Sequence, residues 1–105
     1  MKKIKYPEFP VLIVDDEVEV IQGCELTLRT SGISNIVTCL DSRQVMSILA
    51  SQKFQVILLD LMMPHLSGKE LLKKIMQQYP QIPLIILTGV NKIETAVDCM
   101  KAGAF

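Results

Sequence analysis

The chain is poor in the residues that build many small-protein sites. It has one histidine, His65, and three cysteines, Cys24, Cys39 and Cys99, odd in number, widely spaced and never in a CxxC pair. These supply neither a structural zinc site nor a disulfide framework, so the cysteines read as reduced core thiols. An excess of one charge is also lacking, since Lys plus Arg and Asp plus Glu each number 11. No net field draws the chain to nucleic acid, and direct nucleic-acid contact by this domain is not expected. No apolar run reaches membrane-spanning length, and the basic start Met1 to Lys5 leads into Tyr6-Pro7 and Phe9-Pro10 instead of an apolar signal core. The reading is a cytoplasmic protein with no membrane contact. Linkers and low-complexity stretches are missing too, so residues 1–105 form one domain.

What is present is apolar. Half the residues are hydrophobic and 21% are charged, with a mean hydropathy of +0.36, which argues for strands buried on both faces. Four short runs fit that description: Val11 to Val14, Ile36 to Leu40, Val56 to Leu59, and Leu84 to Leu87. Helical stripes lie after each, at Val20, Ile21, Cys24 and Leu28, then Val45, Met46 and Leu49, then Leu71, Leu72, Ile75 and Met76, then Ala96, Val97 and Met100. Ser67 to Glu70 and Asn91 to Glu94 have the spacing of a capping box, with Asp41 to Gln44 a weaker case. Gly32 and Gly103 stand where a helix ends in a left-handed residue, and Pro80 and Pro83 bracket the loop into the fourth strand. The order is βα repeated four times. Right-handed crossovers then give an α/β, doubly wound parallel sheet with its ligand site beyond the carboxyl ends of the strands.

That rule selects a few polar residues. Asp15 and Asp16 follow the first strand, Asp60 the third and Thr88 the fourth. Converging carboxylates repel one another, and a hard divalent cation relieves the repulsion. Oxygen-only ligation suits Mg²⁺ or Mn²⁺, with the backbone carbonyl of Met62 the best-placed further ligand. Beside such a metal Asp60 can attack phosphorus and form an acyl phosphate, while the Thr88 hydroxyl bonds a phosphoryl oxygen. His65 reads as a solvated loop residue. Met62, Met63, Met76 and Met100 read as packing, and Glu17 as a first-turn helix acid favoured by the helix dipole. Two enzyme-like readings fail on the sequence. A phosphohydrolase of the haloacid dehalogenase type wants an Asp two positions after the nucleophile, where this chain has Met62. A nucleotide-binding domain wants a glycine loop after the first strand, where the chain reads Asp15-Asp16-Glu17-Val18.

The motifs Val14-Asp15-Asp16-Glu17, Leu58-Leu59-Asp60-Leu61-Met62-Met63-Pro64 with Gly68, Leu87-Thr88-Gly89, and Ala96-Val97 through Lys101-Ala102-Gly103-Ala104 occur in order along nearly the whole chain. Together they resemble the receiver domains of bacterial two-component response regulators, which have a flavodoxin-like fold. The resemblance implies that Asp60 is the phosphoacceptor, supplied by a histidine kinase. It also implies that Asp15, Asp16, Asp60 and the Met62 carbonyl hold the metal, and that Thr88 is the switch hydroxyl. Chemistry is then limited to self-phosphotransfer and autodephosphorylation at Asp60, without enzyme activity on other substrates. The stretch Glu94 to Phe105 looks most like receivers of enhancer-binding activators of the nitrogen-regulation type, which implies an effector domain beyond residue 105. In one respect the chain departs from the family pattern: it stops before a fifth strand and the phosphate-binding Lys on which the reactivity of Asp60 depends. Two expectations follow. The chain is a truncated receiver that self-associates or exchanges segments to cover its fourth strand, and the alternative to phosphotransfer is a pseudo-receiver acting only through protein contacts.

Overall fold

The computed structural model describes residues 5–60 and 68–87. In chain order the elements are β1 (Val11–Val14), α1 (Val18–Thr30), β2 (Ile36–Cys39), a 3-10 turn (Ser42–Gln44), α2 (Val45–Ser51), β3 (Val56–Leu59), α3 (Gly68–Gln78) and β4 (Leu84–Ile86). The strands form one parallel sheet in the order β2-β1-β3-β4. The chain therefore winds outward from β1 to β2, crosses back over β1 to β3, and continues outward to β4. This is the doubly wound α/β arrangement expected from the sequence. Among the described residues, no helix is long and apolar enough to cross a membrane.

Residues that alternate along a strand point to opposite faces, and the core divides accordingly. Val11, Ile13, Val56 and Leu58 pack with Ile21, Cys24 and Leu28 of α1. Leu12, Val14, Ile57 and Leu59 pack on the other face with Val45 and Leu49 of α2 and Leu71 and Ile75 of α3. Every residue of β1 and β3 is wholly buried, so the expectation of strands covered on both faces holds for these two. It does not hold for the flanking strands. β2 ends at Cys39, Thr38 is exposed, and Leu40 is 47% exposed, because β2 lies at the sheet edge. Leu84 to Ile86 are half-buried.

Two helical stripes need trimming for a similar reason. Val20 and Met76 are exposed, at 38% and 61%, while their neighbours Ile21 and Ile75 take the buried positions. Adjacent helix residues are about 100° apart around the axis, so only one of each pair can face the sheet. The fourth stripe, the boxes at Ser67 and Asn91, Gly103 and Cys99 lie outside the described residues. Cys24 and Cys39 are buried free thiols on opposite faces of the sheet. Burial pushes both thiols above the usual range, and a nearby charge or carbonyl, that of Asp15 or Asp41 respectively, acts on each.

Local signals account for the element ends. Asp41 caps the 3-10 turn by accepting a hydrogen bond from the Arg43 N–H at 2.9 Å, so its partner lies one residue closer than in a capping box. Gly32 has φ of +92°, and its N–H donates to Arg29 O at 3.0 Å while the Ile33 N–H donates to Leu28 O at 2.9 Å. These paired bonds form a Schellman motif that ends α1 and drops Ile33 into the core beside Leu28. At the amino edge, Pro83 O accepts from the Ile57 N–H at 3.0 Å and ties the loop into β4 against β3.

Two glycines in one helix region give a paired expectation. A Cβ at Gly32 or at Gly23 meets nothing within 4 Å, so neither change is steric. Gly32→Ala should lower stability by about 1 kcal/mol because of its positive φ. Gly23→Ala, inside α1, should raise stability by about 0.5–1 kcal/mol. Urea midpoints of the two variants, compared with wild type, check the opposite signs.

Candidate functional site at the carboxyl edge of the sheet

β1 and β3 are neighbours in register, with Val14 opposite Leu59. The next residue of each strand is an aspartate, and the ladder runs one step further to hold both backbones. The Asp15 N–H donates to Cys39 O at 3.1 Å, and the Asp60 N–H donates to Val14 O at 3.0 Å. Asp15 and Asp60 are thus fixed at the point where the winding of the sheet reverses, and Asp16 follows directly. One carboxylate oxygen from each of Asp15, Asp16 and Asp60 lies within 4.8 Å of the others. The structure therefore brings together the three acids singled out from the sequence.

Their environments differ. Asp15 is only 4% exposed, whereas Asp16 and Asp60 are half-buried. The Glu17 N–H donates to Asp15 Oδ1 at 3.0 Å, closing a turn of the kind Asp side chains favour. Burial raises the proton affinity of the Asp15 carboxyl, that backbone bond partly opposes the rise, and the charges of Asp60, Asp16 and Glu17 add to it. Glu17 is not the first-turn acid expected from the sequence. Its extended backbone and its carbonyl, which accepts from the Ile21 N–H at 3.1 Å, make it the residue before α1, and Glu19 is the acid in the first turn. Glu17 has no acceptor within the helix for its N–H, which Asp15 satisfies in the turn that leads into α1. Its contribution to the site is that backbone N–H, a role hinted at in the sequence by an Asp two residues upstream.

The donor set fits a hard divalent cation. Ionised carboxylates at this separation repel by roughly 3 kcal/mol per pair at an effective dielectric near 20. A cation among them reverses the sign of that interaction. Among the described residues the converging atoms are all carboxylate oxygens, which suits Mg²⁺ or Mn²⁺ better than zinc. Asp15, Asp16 and Asp60 would hold it. Thr88, Met62 and His65 lie outside the described residues.

Comparison with known proteins agrees with this architecture. Residues 11–105 match the family described as the response regulator receiver domain. The response regulator protein PilR of Pseudomonas aeruginosa is 33% identical over 94 residues, covering 90% of this chain and 21% of PilR. The DNA-binding transcriptional regulator NtrC of Salmonella typhimurium is 35% identical over 95 residues, covering 90% of this chain and 20% of NtrC. The chain thus spans about a fifth of the length of these curated relatives. A receiver domain protein from Clostridium thermocellum, known from its crystal structure, superposes with a TM-score of 0.70 at 31% identity, over 92% of this chain and 78% of that one. The parallel sheet, the acidic edge and these matches together place the chain in the response regulator receiver domain family of two-component systems.

Proposed function

We propose that Asp60 accepts a phosphoryl group from the phosphorylated imidazole of a histidine kinase, in a pocket that Asp15, Asp16 and Asp60 form for Mg²⁺ or Mn²⁺. The observation that carries this reading is the convergence of the three carboxylates within 4.8 Å at the adjoining ends of β1 and β3. The division of labour follows from exposure. Asp15 is buried, with one oxygen already accepting from the Glu17 N–H, which suits a fixed ligand. Asp60 is half-exposed at the strand end, where a partner's phosphoryl group can reach it. In the transfer an Asp60 carboxylate oxygen forms the new P–O bond. The P–N bond to the imidazole breaks, its electron pair stays on the ring nitrogen, and an acyl phosphate results. The bound metal would supply neutralisation of charge on the phosphoryl oxygens.

The same proposal gives the Met62 carbonyl to the metal and the Thr88 hydroxyl to a phosphoryl oxygen, where its movement shifts the balance between two conformations with different partners. It extends to a cytoplasmic setting and to an effector domain controlled by the receiver, as the similarity to PilR and NtrC supports. A pseudo-receiver acting solely by contact has no use for a buried carboxylate that opposes its own ionisation, and Asp15 disfavours that alternative.

Three measurements test the reading. This chain, and a version extended beyond Phe105, should be incubated with Mg²⁺ and acetyl phosphate and weighed intact. The extended wild type should gain the mass of one phosphoryl group and Asp60→Asn should not. An extended wild type that stays unmodified, or an Asn variant modified equally, overturns the assignment.

Metal binding has its own readout. Mg²⁺ at 100 times its dissociation constant should stabilise the wild type by about 2.7 kcal/mol, an increment that Asp15→Asn loses. In chelator the sign reverses. Asp15 holds its proton more tightly folded than unfolded, so the fold loses stability as pH rises from the ordinary carboxylate range through the raised value. Asp15→Asn escapes that loss. It should melt above wild type near pH 7, with the gap closing below the ordinary carboxylate range.

Among the described residues β4 is the outer strand beside β3 and is half-buried, which supports a further part of the proposal, self-association of the 105-residue chain. Light scattering at high concentration should report a mass above that of one chain, and a monodisperse monomer would refute it.

A further inference from the structure

A second concavity lies at the opposite edge of the sheet. It has a volume of about 650 Å³ and is built from three separate stretches of chain: the arm before β1, the end of α2 with the lead into β3, and the loop between α3 and β4. That size is typical of sites for small organic molecules, as is a lining that is mostly apolar. Three aromatic rings, Phe9, Phe54 and Tyr79, contribute to the wall, joined by Leu49 and Pro83. Phe54 is buried and anchored in the core that fills the α2 and α3 face, so this part of the wall is rigid. Among the described residues the lining carries one cation, Lys53, and no carboxylate. The Lys53 ammonium stands 5.8 Å from the centre of the Phe9 ring, a cation–π contact between two lining residues.

We propose that this hollow binds a small aromatic monoanion, its ring system against Phe9, Phe54 and Tyr79 and its carboxylate toward Lys53. The rings select a flat apolar body. The lone cation selects a single negative charge, since a second would have no partner in the lining and a positive group would meet Lys53. The site is separate from the acidic edge. β3 runs between the two, and four residues of strand span about 13 Å. The proposal therefore stands or falls independently of phosphotransfer at Asp60.

The test is a titration of the ¹⁵N-labelled 105-residue chain with 1-naphthoate, followed by amide shifts, with 1-naphthamide and 1-naphthylmethylammonium as the neutral and cationic counterparts. Naphthoate should give saturable shifts centred on residues 51–55 and 81–82. The amide should bind about threefold more weakly, the scale of one exposed charge contact, and the cation more weakly still. Lys53→Gln should remove the preference for the anion while leaving the location of the shifts unchanged. Ala50→Phe, which adds bulk at an exposed lining position without emptying the core, should weaken all three ligands. Shifts that fail to saturate, or that centre elsewhere, overturn the site. Equal binding of the three ligands, or a preference that survives Lys53→Gln, overturns the assigned class.

Discussion

The parallel ladder between β1 and β3 sets Val14 opposite Leu59, and the carboxyl edge inherits its geometry from that pairing. Asp15 and Asp60 are each the first residue past a wholly buried run, and each is held by a backbone bond that continues the ladder. A slip of one residue would displace one aspartate from the other by about 3.3 Å and would send every apolar side chain of that strand to the opposite face. Register is thus enforced by the core on both faces, and the site obtains its alignment from the same constraint. β2 beside β1 and β4 beside β3 then leave the reversal of winding between the two aspartates, where α/β sheets open a crevice.

Packing and electrostatics pull against each other at this edge. Burial of β1 and β3 stabilises the fold, yet it carries Asp15 into a place where ionisation is opposed by lost solvation and by its neighbours' charges. The Glu17 N–H compensates in part, from the residue that caps α1. The end of β1 thus carries a carboxylate where the fold alone would favour an apolar side chain.

Much of this was legible in the residues. Uninterrupted four-residue apolar runs located β1 and β3 to the residue, because strands covered on both faces leave no room for polar alternation. The acids at their ends were found by the same token. Legibility failed where the answer depended on neighbours. Leu40 looks like a strand residue, but β2 is an edge strand and releases it to solvent. Val20 and Met76 each sit next to a better-placed apolar residue, and only the position of the sheet decides which of the two is buried. Glu17 fits either a helix turn or a cap until the bond to Asp15 is seen. The hollow at the amino edge joins Phe9, Phe54 and Tyr79 from distant parts of the chain, a juxtaposition no local pattern encodes.

The division of the core by the sheet has a consequence for how such a domain can change. Val11, Ile13, Val56 and Leu58 meet α1, their immediate neighbours along each strand meet α2 and α3, and the backbone between them works as a partition. Substitutions on the two sides share few contacts and should combine nearly additively. One chamber can accumulate replacements and repack while the other keeps its architecture. The face packed on α1 can therefore diversify without disturbing the helices on the far side of the wall.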